Sequence, residues 1–71
     1  MLEVPPVIVH PPLHGGGRRV TVQGKDLGVA HSDRQLLEFL RQAGLPEAED
    51  LIDDPEWVKW DGRPAHIYGG G

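Results

Sequence analysis

One segment of the chain carries a complete set of start and stop signals for an α-helix. Ser32 is a preferred N-cap residue, and Gln35 follows three residues later, as in a capping box. Gly44 suits the left-handed stop of a helix, and Pro46 prevents its continuation. Between these signals the apolar residues recur at the helical period, at Leu36, Leu37, Leu40 and Ala43. The pattern predicts a helix over residues 33–43.

This helix has to find its packing partner within a short chain that has no covalent staples. The chain has 71 residues and no cysteine, which excludes disulfides and thiolate metal sites. A chain of this length buries only about 60% of the surface that its unfolded form exposes, and it supports one core. The remaining apolar residues suffice for one sheet. We therefore predict a single α+β domain in which one mainly antiparallel sheet packs on one main helix.

Two segments before the helix have the pattern of a β-hairpin. Residues 19–23 alternate polar and apolar side chains, and residues 27–31 resume the alternation after the break at Gly24-Lys25-Asp26. Gly28 lies inside the second of these strands, where glycine indicates a bulge or the close approach of another group.

Prolines dominate the first part of the chain. Pro5-Pro6 and Pro11-Pro12 bracket three β-branched residues, and proline within a sheet is confined to edges and strand ends. We expect a short edge strand inside a proline- and glycine-rich leader over 1–17, an α+β core over 18–68 and a flexible tail over 69–71. The leader lacks the basic start of a signal peptide, and no apolar run approaches the ~20 residues of a membrane span. We expect a cytoplasmic protein that binds no membrane.

The segment after the helix allows two interpretations. Residues 46–52 fit a short helical turn, and Asp53-Asp54-Pro55 marks a break. Residues 55–60 then form either a short helix that aligns Trp57 with Trp60, or a strand that places them on opposite faces. Aromatic and β-branched residues before Asp61-Gly62 favour the strand and a tight hairpin. Residues 63–68 would return as an edge strand.

The charge distribution indicates the kind of partner. Residues 32–61 carry nine acidic and three basic residues, whereas residues 1–31 carry three basic and two acidic ones. An acidic half repels phosphate backbones, so nucleic-acid binding is disfavoured and a basic protein partner is favoured.

No arrangement of catalytic or metal-binding residues stands out. His10 and His14 have helical ligand spacing, but the two prolines between them prevent the helix that would bring the rings together. Ser32 is accounted for as a helix cap, and no nucleophile-elbow sequence surrounds it. We expect no enzyme activity, no cofactor and no metal.

The two tryptophans provide the candidate binding residues. One of them is expected at the centre of the core, and the other, on the opposite strand face, is expected to be partly exposed. Exposed tryptophan is enriched among interface hot spots. With Glu49 and Asp50 beside them, Trp57 and Trp60 predict a non-enzymatic protein-binding or regulatory module of unknown oligomeric state.

Two family resemblances accompany these patterns. Arg19 to Ser32, which read R-V-x-V-x-G-x-x-L-G-x-A-x-S, and the leucine-rich helix after them resemble short uncharacterised proteins of actinobacteria. That resemblance implies a bacterial origin and no function. The hairpin, the helix ending Ala43-Gly44-Leu45, the segment Val58 to Gly62 and the terminal glycines are similar to β-grasp sulfur carriers. This second resemblance implies that Gly70 and Gly71 form a reactive tail whose carboxylate is converted to a thiocarboxylate.

Overall fold

Four strands form one mixed sheet. Two helices lie between the third and the fourth strand along the chain. The computed structural model describes residues 5–69. Its elements are β1 (Val7–Pro12), β2 (Arg18–Val22), β3 (Lys25–Ala30), α1 (Asp33–Gln42), α2 (Ala48–Leu51) and β4 (Val58–Trp60). The strand order is β3-β2-β1-β4, with β4 parallel to β1 and the other two pairs antiparallel. The predicted α+β class and the mainly antiparallel sheet are confirmed.

The predicted β-hairpin is formed by β2 and β3. Gln23 and Gly24 both have positive φ, at 52° and 84°, as a two-residue turn of type I′ requires. The register shifts between Val20, which lies opposite Gly28, and Thr21, which lies opposite Asp26. This shift is the predicted bulge. A Cβ on Gly28 would lie 3.2 Å from the ring of Phe39, so the helix also approaches closely here.

The prediction that the first strand is an edge strand is wrong. β1 lies inside the sheet between β2 and β4, and the side chains of Val7 and Val9 are fully buried. Its pairing with β4 covers only residues 7–9, and its register with β2 shifts after Val9. The prolines lie on either side of residues 7–9, the part of β1 that pairs with both β2 and β4. Their missing N–H groups therefore remove no hydrogen bond from that part of the strand.

The predicted helix is confirmed, with its last helical residue one position earlier. The Oγ atom of Ser32 accepts a hydrogen bond from the backbone N–H of Gln35 at 3.3 Å. The carboxamide oxygen of Gln35 accepts a hydrogen bond from the N–H of His31 at 2.7 Å. In the predicted capping box the donor would be the N–H of Ser32, one residue later. Gly44, at φ 88°, and Leu45 donate backbone hydrogen bonds to the carbonyls of Arg41 and Leu40, which is a Schellman motif.

The region after α1 agrees with one prediction and contradicts another. The short helical turn is present as α2. Of the strand predicted over residues 55–60, only residues 58–60 form one, because residues 55–57 form a turn that leaves Trp57 outside the strand. The predicted second hairpin is absent from the described part of the chain, because β4 pairs in parallel with β1 and Asp61 continues that pairing by donating to the carbonyl of Val9. Residues 61–69 form no strand, and they cross the molecule as an irregular segment that we call the C-terminal strap.

The core lies between one face of the sheet and the two helices. Its buried members are Val7, Val9, Val20, Ala30, Leu36, Leu40, Ala48, Ile52, Val58 and Tyr68. The strap therefore contributes a residue to the core, since Tyr68 is only 8% exposed. Within residues 5–69, no helix is long and apolar enough to cross a membrane.

Replacing Gln23 by asparagine is expected to stabilise the protein by about 0.5–1 kcal/mol, because asparagine tolerates the left-handed conformation that the I′ turn imposes. Urea unfolding followed by circular dichroism measures the change. The same substitution at Gln42, which is exposed at the end of α1, is expected to cost a few tenths of a kcal/mol. A loss of stability at both positions would contradict the role assigned to the turn.

Candidate functional site

Arg18 connects the sheet to the C-terminal strap. Its side chain is fully buried, and all three guanidinium nitrogens donate hydrogen bonds to backbone carbonyls. The acceptors, at 2.6–3.4 Å, are the carbonyl oxygens of Val9, His10, Asp61, Arg63, Pro64 and Ile67. Four of these six carbonyls belong to the strap. An irregular segment has no ladder to satisfy its own backbone, and Arg18 supplies the missing donors.

Desolvation is the main cost of this arrangement. Burial lowers the pKa of Arg18 below its ordinary value. The carbonyl dipoles and the ring of Trp60, whose centroid is 5.3 Å from the guanidinium carbon, stabilise the charge in place of water. The side chain therefore acts as a structural cation that fixes the path of residues 61–67.

Trp60 belongs to the same cluster. Its indole N–H donates to the carbonyl of Ile52 at 3.1 Å, and its ring lies 5.2 Å from that of His66 and 5.9 Å from that of Tyr68. These contacts join β4, the turn after α2 and the strap. Trp60 is nevertheless only partly buried, as is Trp57, so the expectation of one tryptophan at the centre of the core is wrong. Aliphatic side chains and Tyr68 fill that centre instead.

Trp57 lies outside this cluster, just before β4. Two hydrogen bonds fix its backbone. Its N–H donates to the carbonyl of Asp54, and its carbonyl accepts from the N–H of Val7. The side chain is half-buried against the edge of the core. Within the described residues its indole N–H has no hydrogen-bond partner, whereas that of Trp60 has one.

The acidic residues of the second half are concentrated in one folded stretch, residues 47–56, which we call the acidic segment. Two of its carboxylates form ion pairs: Glu49 with Arg41 at 2.8 Å, and Asp53 with His66 at 2.5 Å. The pKa of Glu49 is lowered by a hydrogen bond from the backbone N–H of Glu49 itself, and then by the hydrogen bond from Arg41. Glu47, Asp50 and Glu56 are exposed and form no ion pair with any described residue.

His66 bridges the strap to two helical elements. Nδ1 lies 2.8 Å from Oδ2 of Asp33 in the first turn of α1, and Nε2 lies 2.5 Å from Oδ1 of Asp53 after α2. The hydroxyl of Tyr68 donates to the other oxygen of Asp33 at 2.7 Å. The hydrogen bond to Asp33, and then the one to Asp53, raise the pKa of His66. Burial, and then the bond to Asp33, raise that of Tyr68, which keeps its proton.

The histidines and the serine singled out in the sequence do not meet. Nε2 of His10 is hydrogen-bonded to Oγ1 of Thr21 at 3.0 Å, whereas His14 is exposed in the loop before Gly17. Ser32 serves as the helix cap. Within residues 5–69, no three potential ligands are placed to hold a metal ion.

A separate open groove of about 620 Å³ lies between the hairpin turn and the end of α1. Its lining residues are Val22, Gln23, Lys25, Leu27, Gln42 and Ala43. None of the binding residues predicted from the sequence is among them, and the groove contains no pair of groups suited to acid–base or nucleophilic chemistry.

The structure divides the predicted binding residues between two places. Glu49, Asp50 and Trp57 lie in or directly after the acidic segment, whereas Trp60 lies in the Arg18 cluster. Gly70 and Gly71 lie outside the described residues. Arg18, His66 and Tyr68 were not identified from the sequence. The burial of Arg18 could have been predicted, because residues 18, 20 and 22 of an alternating strand lie on the same face, and Val20 and Val22 mark that face as the buried one.

Comparison of the chain with protein-family models, with curated protein sequences and with solved structures found no match. The fold and the contacts described above are therefore the basis for a functional proposal.

Proposed function

We propose that this protein is a small, non-enzymatic protein-binding or regulatory module that binds a basic partner through the acidic segment and Trp57. The observation that carries this proposal is the position of a half-buried tryptophan directly after a stretch that holds three exposed carboxylates without an ion pair in the described chain. Aromatic anchors with a charged rim are typical of binding surfaces.

The partner class follows from the charges. The side chains of Glu47, Asp50 and Glu56 are exposed and form no ion pair in the described chain, so their charge is available to a partner. A lysine- or arginine-rich protein surface would neutralise it, and the indole would contribute apolar area and a cation–π face. Association should therefore be faster at low salt.

The test compares two charge reversals of equal size. Asp50→Lys lies in the acidic segment, and Glu38→Lys lies on the exposed side of α1 and serves as the control. The wild-type chain is used to capture a partner from a lysate of its source organism, and the purified partner is titrated calorimetrically against each variant. We expect Asp50→Lys and Trp57→Ala each to weaken binding by roughly tenfold or more, and Glu38→Lys to leave it unchanged.

Three results would overturn the proposal. The first is that nothing is retained by the wild type, and the second is equal weakening by Asp50→Lys and Glu38→Lys. The third concerns the sulfur-carrier alternative, in which function resides at Gly70 and Gly71. Deleting these two glycines should leave partner binding unchanged if the chain is a module. Loss of capture on deletion, or an intact mass raised by the exchange of one oxygen for sulfur, would instead support the carrier.

A further inference from the structure

His66 is the point at which the C-terminal strap is attached to both helical elements. Its two ring nitrogens face two different carboxylates, Asp33 of α1 and Asp53 after α2, at 2.8 and 2.5 Å. Only the doubly protonated imidazolium has an N–H for each of them. A neutral ring would keep one of these hydrogen bonds and turn a lone pair toward the other carboxylate.

The surroundings of His66 also favour its charged form. The ring is partly exposed, and the aromatic faces nearest to it are those of Trp60 in β4 and Tyr68 in the strap. Arg18 of β2 lies over the same Trp60 ring, and its charge is satisfied by backbone carbonyls. The two carboxylates are therefore the charged groups that act on the ring directly.

We propose that the C-terminal strap is a pH-sensitive latch, closed while His66 is doubly protonated and bridged to Asp33 and Asp53, and loosened when it loses one proton. Loosening would break two hydrogen bonds of Tyr68. One runs from its hydroxyl to Asp33, and the other, 2.9 Å long, runs from the N–H of Gly17 to its carbonyl. The carbonyls that Arg18 binds lie mostly nearer the start of the strap, so the end of the strap would open first.

The direction of the pH dependence follows from the bridge. Because the folded protein raises the pKa of His66 above its ordinary 6.5, the stabilisation by the bridge is fully present below about pH 6.5. It is lost as the pH rises through the raised, folded-state pKa. The latch is therefore closed in mildly acidic solution and loosens as the pH rises through the raised pKa of His66.

Two nuclear magnetic resonance measurements on the full chain test the proposal. The Hε1 resonance of His66 should titrate with a midpoint above 6.5, and the midpoint should fall toward 6.5 in Asp53→Asn. The protection factor of the Gly17 amide, corrected for base-catalysed exchange, reports on the contact with Tyr68. It should fall by roughly fivefold or more between about pH 6 and about pH 9.

Matched variants separate the latch from a general effect of pH. His66→Gln cannot titrate, so its Gly17 protection factor should be low and the same at both pH values. His14→Gln, which alters an exposed loop histidine, should keep the wild-type dependence. A midpoint of the wild-type His66 at or below 6.5, or a Gly17 protection factor equal at both pH values, would overturn the proposal. Neither measurement depends on the binding partner, so the proposed function can fail while the latch holds.

Discussion

Replacing Arg18 by methionine is expected to remove most of the stability of the protein. Methionine fills a similar space but has no donor, so six backbone carbonyls lose the hydrogen bond from the guanidinium, and four of them lie in a strap without secondary structure. The expected loss is about 3–5 kcal/mol. A domain of this size possesses about 4–10 kcal/mol in total. Urea unfolding at neutral pH, monitored by circular dichroism and tryptophan fluorescence, measures the change.

The control for this prediction is Arg34→Met, because Arg34 is exposed on α1 and forms no hydrogen bond or ion pair with the described residues. Its substitution should stay within about 0.5 kcal/mol of wild type. Arg18→Lys keeps the charge, but it has three donors on a single nitrogen and no planar group to lie on Trp60, so it should also be clearly destabilised. A loss below about 1 kcal/mol in Arg18→Met would show that water replaces the guanidinium at little cost.

Leu40→Ala is expected to cost about 2–5 kcal/mol, through lost burial and the cavity that remains. The side chain of Leu40 is fully buried in α1, and its carbonyl accepts the hydrogen bond from Leu45 that ends the helix. Thermal unfolding followed by circular dichroism measures the change. Leu13→Ala is the matched control, because Leu13 is 41% exposed and should lose little stability. A melting temperature for Leu40→Ala within about a degree of wild type would contradict the assigned core.

The parts of the fold that were predicted correctly are those whose signals are local. The helix has its cap, its apolar stripe and its stop within residues 32–46, and each of these acts through neighbouring residues. The hairpin likewise depends on a two-residue turn and on alternation within β2 and β3. In both cases the sequence contains the residues that interact and the spacing that brings them together.

The parts that were predicted wrongly depend on contacts between distant residues. The prolines indicated an edge strand because nothing nearby shows that β4, some fifty residues later, pairs with only three residues of β1. Arg18 was not identified, since a lone charge is seldom buried and its acceptors are backbone carbonyls that no residue type reveals. Without Arg18 there was no reason to expect an irregular strap in place of a second hairpin.

The candidate site shows the same division. The acidic residues and the tryptophans were identified from composition and alternation. These patterns do not show which tryptophan is held in place by contacts with distant residues. That choice depends on Arg18, Ile52 and His66, which hold Trp60 in the Arg18 cluster. The role of His66 depends on two aspartates that lie 13 and 33 residues earlier in the chain.

The parallel pairing of β1 with β4 has a consequence for how the chain folds. Val7 lies beside Val58, and Arg18 binds the carbonyl of Ile67, so both contacts close loops of about fifty residues. The entropy of closing such loops is lost before these contacts form, which raises the folding barrier relative to a protein with local contacts. The helix and the hairpin can form early, but the sheet stays one strand short until the end of the chain arrives. We therefore expect a cooperative transition in which the two ends of the described chain are ordered together.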